Sequence, residues 1–257
     1  MDLSSILGSF EPITLDQTNE QASLLKRMDT KYVIRPVQLP EVLSRWALTH
    51  RILEIENKRI FGYHSVYYDT PGLQLYHAHH SGAGNRVKFR TREYTDSQLC
   101  FYEIKMRNNK GVTEKQRIRI KESTEVTPFL RKAGAEHSRH VRDASLQETL
   151  CVEYDRITLV AKDRSQRITI DLNLHFSAGY REIDLRDRII IEIKCSRISS
   201  SDERQFFRNM GIRKGSISKY CLGILSLFPG VKYHRFKLPL RILAKQLTAH
   251  GAAASTC

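Results

Sequence analysis

The sequence lacks a long apolar run and any clustered set of cysteines. No stretch of 18 apolar residues occurs, and the N-terminus has no basic segment followed by an apolar core, so we expect neither a membrane-spanning helix nor a signal peptide. The five cysteines form no C-x-x-C pair, which argues against a zinc-ribbon or disulfide framework. These absences predict a cytoplasmic protein of a reducing compartment.

Acidic residues are also fewer than basic residues. Lysine and arginine number 42 against 28 aspartates and glutamates, so the 257-residue chain has a net charge of +14. Such an excess predicts a polyanionic partner: nucleic acid, an acidic membrane surface or polyphosphate. The length favours one domain, which we place at residues 17–235 between an N-terminal segment, 1–16, and a C-terminal tail, 236–257.

Strand-like segments dominate from Asn85 onward, and helical patterns are few. The predicted strands are YVI (32–34), FGYHSVYYDT, RVKFRTREY, LCFYEIKMR, TEKQRIRI, CVEYDRITLVA, RITIDLNLHF and DRIIIEIKCS. Helices are predicted at 17–26, from Pro40, near 127–140, in SSDERQFFRNMGI and in SKYCLGILSLF. The pattern predicts an α+β fold in which an antiparallel β-barrel is flanked by helices.

Cationic residues alternate with apolar ones along these strands. Side chains two apart share a face of a strand, so Lys88, Arg90 and Arg92 lie together, with Val87 and Phe89 behind them. Glu103 shares a face with Lys105, and Lys115 shares one with Arg117 and Arg119. One such strand is typical of a solvated sheet face. When several neighbouring strands carry such cationic rows, the side chains would repel one another across the sheet, so a polyanion bound by all of them is the better interpretation.

Charges also occur in the most apolar strand, residues 188–194. Glu192 and Lys194 share a face with Ile190, and three isoleucines occupy the other face, which is typical of a central strand. Buried charge is costly unless it is paired, so Glu192 is either a ligand of a divalent metal or one half of a Glu–Lys ion pair. Asp171, which shares a face with Arg167, is either a second metal ligand or a partner of a neighbouring arginine, and we favour the partner role.

An ordered set of short motifs resembles one known family. The motifs are R-x-x-x-K-Y (27–32), Y-Y-D-T (67–70), K-x-R-x-R (88–92), E-x-K (103–105), E-K (114–115), Y-D-R (154–156), R-I-T-I-D (167–171), I-E-I-K (191–194) and S-K-Y-x-x-G (218–223). In this order they resemble the catalytic domain of the VTC polyphosphate polymerases, a branch of the triphosphate tunnel metalloenzymes. The resemblance covers residues 27–223.

The resemblance implies a tunnel of about eight antiparallel strands and an ATP-dependent polyphosphate polymerase that uses Mn²⁺ or Mg²⁺. The metal would be held by Glu192. The phosphate-binding and catalytic residues that it implies are Lys31, Arg90, Arg92, Lys105, Lys115, Arg156, Arg167 and Lys219, and Lys88 extends this basic set by alternation alone. ATP and polyphosphate are the implied partners, and no nucleic acid is expected.

Two departures from the family pattern stand out. The paired-glutamate motif E-x-E-x-K of the wider superfamily is replaced by Met28-Asp29-Thr30-Lys31, which favours the polymerase branch. Ser216 stands where a second lysine is common, and Lys214 is a candidate substitute.

Two alternative functions stay open. If water is the acceptor, the same tunnel would be an inorganic triphosphatase or polyphosphatase. If the protein is not an enzyme, it would be a binding protein for RNA or polyphosphate. Basic rows backed by Val, Ile and Phe, without interleaved exposed aromatics, argue against RNA. The histidines of LYHAHHSG (His77, His79 and His80) suggest a metal site or a phosphohistidine, but a polar loop at the tunnel rim is the commoner explanation.

Overall fold

The structure is a computed structural model that describes residues 2–23, 28–121, 128–129, 146–195, 200–215 and 218–237. Its longer helices are α1 (Leu3–Gly8), α2 (Leu15–Ser23), α3 (Leu39–Trp46), α4 (Gln74–Ser81), α5 (Ser200–Asn209) and α6 (Lys219–Leu227). Its strands are β1 (Glu11–Ile13), β2 (Met28–Ile34), β3 (His50–Leu53), β4 (Phe61–Asp69), β5 (Arg86–Tyr94), β6 (Leu99–Arg107), β7 (Thr113–Ile120), β8 (Gln147–Ala161), β9 (Gln166–Ala178), β10 (Arg181–Leu185) and β11 (Ile189–Cys195). The predicted helix at 127–140 lies almost wholly outside the described residues, as does most of the tail.

Eight strands form one continuous sheet in the order β2-β11-β9-β8-β4-β5-β6-β7. All neighbours along this path are antiparallel, which confirms the predicted α+β fold. β10 pairs with β9, and β1 joins β3 at the side of β8. Among the strands described, β2 and β7 are not hydrogen-bonded to each other, so the sheet is open rather than a closed barrel. It nevertheless curls, because Lys31 of β2 and Lys115 of β7 border the same cavity.

The convex face of the sheet packs against helices. Ile189, Ile191 and Ile193 of β11 are at most 3% exposed and join a core that includes Trp46 of α3 and Phe207 of α5. β11 lies between β2 and β9, so its prediction as a central strand is confirmed. The N-terminal segment contributes to the same core through buried side chains of α1. No helix in the described ranges is both long and apolar enough to cross a membrane.

Helix α6 packs on the concave face instead. Its Tyr220, Leu222 and Ile224 are buried with Leu150 of β8 and Phe176 of β9. The apolar residues of SKYCLGILSLF therefore close one part of the concave face, which leaves the remainder of that face to the charged side chains.

A bulge at Asn173 changes which residues of β9 face inward. Glu153 pairs with His175 whereas Asp155 pairs with Leu172, so β9 has one extra residue between these partners. Asn173 adopts a left-handed backbone with φ of 51°, and its side-chain amide donates a 2.7 Å hydrogen bond to Asp155. Because the bulge shifts the alternation by one residue, Asp171 before it and Leu174 and Phe176 after it all face the concave side.

The expected polar loop at LYHAHHSG is wrong, because these residues belong to α4. The buried carboxylate of Asp69 accepts hydrogen bonds from the backbone N–H groups of Leu75 and Tyr76, both at 2.9 Å, and so satisfies the first turn of the helix. Gly82 ends the helix with φ of 75°.

We predict that Gly223→Ala destabilises the protein. A Cβ atom at this position of α6 would lie 2.5 Å from Leu150 Cδ2 and 2.8 Å from Phe176 Cδ1, closer than packed carbon atoms approach. The overpacking should lower the free energy of unfolding by about 1–3 kcal/mol, although alanine favours helix formation. Urea denaturation measures the change.

Gly8→Ala is the matched control, since a Cβ at this helical position meets no atom within 4 Å. Its stability should be unchanged or slightly higher. Equal destabilisation by the two substitutions would show that the close approach of α6 to the sheet is not what selects glycine at position 223.

Candidate anion-binding cavity

A cavity of about 740 Å³ lies on the concave face of the sheet, within the usual size range of ligand sites. Its wall contains twelve lysine and arginine side chains and three carboxylates. The cations are Lys31, Arg86, Lys88, Arg90, Arg92, Lys105, Lys115, Arg117, Arg156, Lys194, Lys219 and Arg235, and the carboxylates are Asp29, Glu103 and Glu192. Such an excess of one charge in a concave site attracts an anion.

Nine of the ten sequence-predicted site residues are brought together in this wall, and Arg167 is not. Arg167 is the Cα partner of Lys194 and so lies on the same face of the sheet. Alternation fixes the face of a residue but not whether it reaches the cavity.

Arg86, Arg235 and Tyr67 line the cavity but were not predicted as site residues. Arg86 continues the alternation of Lys88, whereas Arg235 follows α6 in a short 3-10 turn and carries no sequence signal.

The basic row of β5 has the predicted arrangement. Val87 and Phe89 are buried on the opposite face, so the three cations of the row point to the cavity. Each donates to a hydroxyl oxygen: Lys88 to Ser218 at 2.7 Å, Arg90 to Tyr67 at 3.0 Å and Arg92 to Ser65 at 3.3 Å. Hydroxyl groups position these side chains without neutralising their charge.

Glu103 is the carboxylate of the β5–β7 part of the wall. It accepts hydrogen bonds from Arg90, and its oxygens lie 3.9 Å from Arg92 Nη1 and 3.7 Å from Arg117 Nε. Burial alone would raise the pKa of Glu103, but Arg90 and Arg92 outweigh it and lower the pKa to about 2. One ionised carboxylate on β6 therefore orders three arginines from the two neighbouring strands, β5 and β7.

Asp171 performs the same role beside α6. Arg156 donates to its two oxygens at 2.5 and 2.9 Å, and the Lys219 ammonium also donates to it. The Asp171 side chain is 1% exposed. Burial favours the neutral acid, but Arg156 and Lys219 lower the pKa of Asp171 to about 2. The prediction that Asp171 is a partner of a neighbouring arginine is thus matched by the geometry.

Glu192 has a lysine on each carboxylate oxygen. Oε2 lies 3.0 Å from Lys31 Nζ and Oε1 lies 3.3 Å from Lys194 Nζ. Burial raises the pKa of Glu192, and the two lysines lower it to well below its usual value. The ion-pair alternative is therefore realised in this structure.

The chemistry of the site also fits a divalent metal. The Glu192 side chain is 19% exposed and borders the cavity, so its carboxylate is open to a ligand. Mg²⁺ in phosphate-transfer sites is commonly held by one or two carboxylates together with phosphate oxygens and water. A single glutamate beside an anion-binding wall meets this requirement.

Lys105 and Lys115 form no ion pair with a carboxylate of the described residues, and their pKa values are lowered. Burial, followed by the charge of Lys31, lowers the pKa of Lys105. Lys115 reaches solvent from the cavity wall, yet partial desolvation and the charges of Lys194 and Lys105 lower its pKa to about 8. Mutual repulsion of this kind is relieved by a bound anion.

Asp69 connects the elements on either side of the cavity. Besides the α4 backbone, it accepts hydrogen bonds from the Thr70 N–H at 2.7 Å and from the Tyr220 hydroxyl. Tyr220 follows Lys219 directly, so this contact fixes the start of α6 and the position of the lysine. Asp69 was seen in the sequence only as part of Y-Y-D-T, and its buried side chain explains why an aspartate is required there.

Of the three histidines of α4, His79 and His80 border the cavity and His77 does not. Burial and the neighbouring Lys88 and Arg86 lower the pKa of His79 to about 2, so its imidazole is neutral at physiological pH. His80 Nε2 accepts a 3.3 Å hydrogen bond from the Arg235 N–H. Within the described parts of the chain, none of the three belongs to a group of three metal-ligating side chains.

Two further expectations concern the segment before α6. Ser216 lies outside the described residues. Lys214, proposed as its substitute, is not part of the cavity wall, whereas its neighbour Gly215 is and donates its N–H to the Lys31 carbonyl at 2.8 Å.

Comparison with known proteins identifies the family. The model of the VTC domain matches residues 26–228, which is most of the chain and includes the sheet path and α6. The chain therefore belongs to the VTC domain family. No curated protein matches the sequence.

Several solved structures are similar in fold. HpAC1 from Hippeastrum, described as having a dominant triphosphatase activity, is 16% identical with a TM-score of 0.47, over 80% of this chain and 100% of that one. A candidate adenylate cyclase from Bacillus halodurans is 13% identical with a TM-score of 0.47, over 79% and 100%. Protein PH1819 from Pyrococcus horikoshii is 13% identical with a TM-score of 0.44, over 77% and 98%. These likenesses are too distant to assign an activity.

We predict that Asp171→Asn is strongly destabilising at neutral pH. The amide cannot neutralise Arg156 and Lys219, and breaking a buried ion pair by removing one partner costs about 3–5 kcal/mol. Because folding lowers the pKa of Asp171 to about 2, its contribution is complete above pH 4 and is lost as the pH falls towards 2. Urea denaturation of both proteins at pH 7, 4 and 2.5 should show the difference shrinking.

Glu11→Gln is the control, since Glu11 also contacts two cations, Arg51 at 3.3 Å and Lys162 at 2.6 Å, but its side chain is 56% exposed. Little change in stability is expected from it. A difference for Asp171→Asn that stays constant from pH 7 to 2.5 would contradict the assignment.

Proposed function

We propose that this member of the VTC domain family transfers the γ-phosphoryl group of ATP to the end of an inorganic polyphosphate chain and releases ADP. The observation that carries the proposal is the convergence of cations from β2, β5, β6, β7, β8, β11 and α6 on one cavity. In the part of the wall that the structure describes, three carboxylates oppose them. A ligand with many closely spaced negative charges fits this excess, and a chain of phosphates has that property.

The arrangement of the cations favours an extended anion over a compact one. Four of them, from Arg86 to Arg92, occur at alternate positions of β5 and so form a row roughly 20 Å long. Lys105 and Lys115 lie on the next strands as direct Cα partners of each other, and Lys105 is also the partner of Lys88. A linear anion lying along β5 would contact cations over its whole length.

Phosphoryl transfer needs little covalent chemistry from the protein. Its transition state is loose, with charge spread over the equatorial oxygens, so positioning and cationic stabilisation supply most of the rate enhancement. In the proposed reaction the terminal phosphate of the growing chain attacks the γ-phosphorus, and no side-chain nucleophile is required. Arginines such as Arg90 and Arg156 suit bidentate contacts to phosphate oxygens, and lysines act as point charges.

Glu192 is the residue that we propose to hold Mn²⁺ or Mg²⁺, together with phosphate oxygens. The ion, when bound, would neutralise charge on the transferred group. Lys31 and Lys194 meanwhile keep the carboxylate ionised and in place. Arg167 was also implied in phosphate binding, and its place as the Cα partner of Lys194, on the same face of the sheet, allows a supporting role.

The wall does not resemble a nucleic-acid interface. Proteins that bind single strands offer aromatic faces for base stacking between the basic residues. Tyr67 and Phe236 are the aromatic residues of this wall, and they are only 6% and 9% exposed. The cavity therefore offers charge without a stacking surface.

We predict that the purified protein converts ATP to ADP and polyphosphate in the presence of Mn²⁺ or Mg²⁺. Polymer is measured on a polyacrylamide gel, and ADP and orthophosphate are measured in parallel. Lys88→Met should abolish the product, whereas Lys58→Met, which alters an exposed lysine paired with Asp96, should not. Release of orthophosphate without polymer would contradict the polymerase and identify a triphosphatase.

We also predict that Glu192→Gln uncouples binding from turnover. Loss of the carboxylate should reduce turnover about 100-fold or more, because a metal ion supplies several kcal/mol of charge stabilisation. Triphosphate binding, measured by calorimetry without metal, should be as tight or tighter, since Lys31 and Lys194 lose their competing partner. Glu54→Gln, which alters a carboxylate paired with Arg59 outside the cavity, is the control. Unchanged turnover in Glu192→Gln would refute the role of Glu192.

A further inference from the structure

The outer face of the same strands carries a row of histidine, cysteine and glutamate. Glu93 of β5, His64 of β4, Glu153 of β8 and His175 of β9 are successive Cα partners across the sheet. Their side chains alternate with those of the inner face, so they point away from the cavity. Cys151 lies two residues before Glu153 and shares its face. Two neighbouring strands thus bring three potential metal ligands together.

The ligand atoms of three of these residues converge. His64 Nε2 lies 3.0 Å from Cys151 Sγ, and these two atoms and a carboxylate oxygen of Glu153 all lie within 4.8 Å of one another. His64 and Cys151 are half-buried and Glu153 is exposed, so the group is fixed by the sheet and open to solvent on one side. No other group of three such ligands occurs in the described residues.

We propose that His64, Cys151 and Glu153 bind one Zn²⁺ ion on the outer face of the sheet, with water as the fourth ligand. Imidazole, thiolate and carboxylate are the zinc ligands of proteins, and three of them with one open position form a common tetrahedral site. Zinc–ligand distances of about 2.0–2.3 Å place tetrahedral ligand atoms roughly 3.3–3.7 Å apart. The distance of 3.0 Å between His64 Nε2 and Cys151 Sγ is just below this range and all three ligand atoms lie within 4.8 Å of one another, so small side-chain rotations complete the site.

Glu93 lies beside the second ring nitrogen of His64. Its carboxylate lies 3.9 Å from His64 Nδ1, on the side of the ring away from Cys151. A carboxylate beside this ring nitrogen favours the ring orientation in which Nε2 faces the metal. The carboxylate–histidine pair is a usual accompaniment of zinc sites, and it is independent of the three ligands themselves.

Binding releases one proton. Burial, together with Glu153, raises the pKa of Cys151 to about 11, so the metal-free thiol keeps its proton near His64 Nε2. Zinc replaces the S–H bond with a Zn–S bond, and the proton passes to solvent. The affinity should therefore rise with pH.

The site is chemically distinct from the cavity. Mn²⁺ and Mg²⁺ prefer oxygen ligands, as offered by Glu192, whereas the thiolate and imidazole select zinc or cobalt. The bound ion would join β4 to β8. The β4–β8 pairing shifts register at Tyr67/Tyr68, and the β8–β9 pairing shifts register at Glu153/Asp155. Tyr67 and Arg156 of the same strands border the cavity on the other face.

Titration of the full-length protein with Co²⁺ tests the proposal without reference to activity. We expect one equivalent to produce a thiolate-to-cobalt charge-transfer band and Zn²⁺ to remove it. Cys151→Ser and His64→Ala should abolish the band. Glu93→Gln should keep the band and lower the Zn²⁺ affinity about 10- to 100-fold, measured by competition with a chromophoric chelator.

Two variants serve as controls. Cys100→Ser removes the half-buried thiol of the same row, opposite Glu93. Glu192→Gln removes the carboxylate that is the proposed metal ligand of the cavity. Both variants should retain the band. A band that survives Cys151→Ser, or that disappears with Cys100→Ser, would overturn the proposal.

A labelling experiment on the unmodified protein covers the case in which Cys151→Ser does not fold. Iodoacetamide alkylation of Cys151, followed by peptide mass spectrometry, should slow at least about 10-fold when Zn²⁺ is added, because the metal occupies the thiolate. An unchanged alkylation rate would refute zinc binding at this cysteine.

Discussion

Repulsion among twelve cations held in one cavity is the interaction on which the rest of the structure depends. The chain offsets it with carboxylates that each serve several cations: Glu103 for three arginines, Asp171 for Arg156 and Lys219, and Glu192 for two lysines. Each of these carboxyl pKa values lies well below its usual value, so the pairs persist at any physiological pH. The charge that remains uncompensated, on Lys105 and Lys115 among others, is what an anion would neutralise.

The inner face of the sheet could be predicted from sequence because alternation is a local property. Lys88 and Arg90, for example, follow from a period of two, and the apolar residues between them fix which face is inside. Interactions between distant segments could not be predicted in this way. The contact of Asp69 with Tyr220, the bulge at Asn173 and the contribution of Arg235 depend on partners brought close only by the fold. The open edge between β2 and β7 is likewise a property of the whole sheet.

The two faces of β4 and β8 have opposite chemical character. On the inner face, arginines and tyrosines form a surface that binds anionic oxygen atoms. On the outer face, His64, Cys151 and Glu153 form the proposed zinc site. The alternation that builds the cavity also aligns the outer residues, since register fixes both faces at once. Bulges in these strands adjust the alignment of both faces, so the geometry of one constrains that of the other.

The central claim is that the cations of the concave face hold one extended chain of phosphates. A crystal structure of the protein with tripolyphosphate and Mn²⁺ tests it most directly. We expect successive phosphates along β5, in contact with Lys88, Arg90, Lys105 and Lys219, and the metal between Glu192 and a phosphate oxygen. Phosphate bound only on the outer surface, or an empty cavity at saturating ligand, would contradict the account.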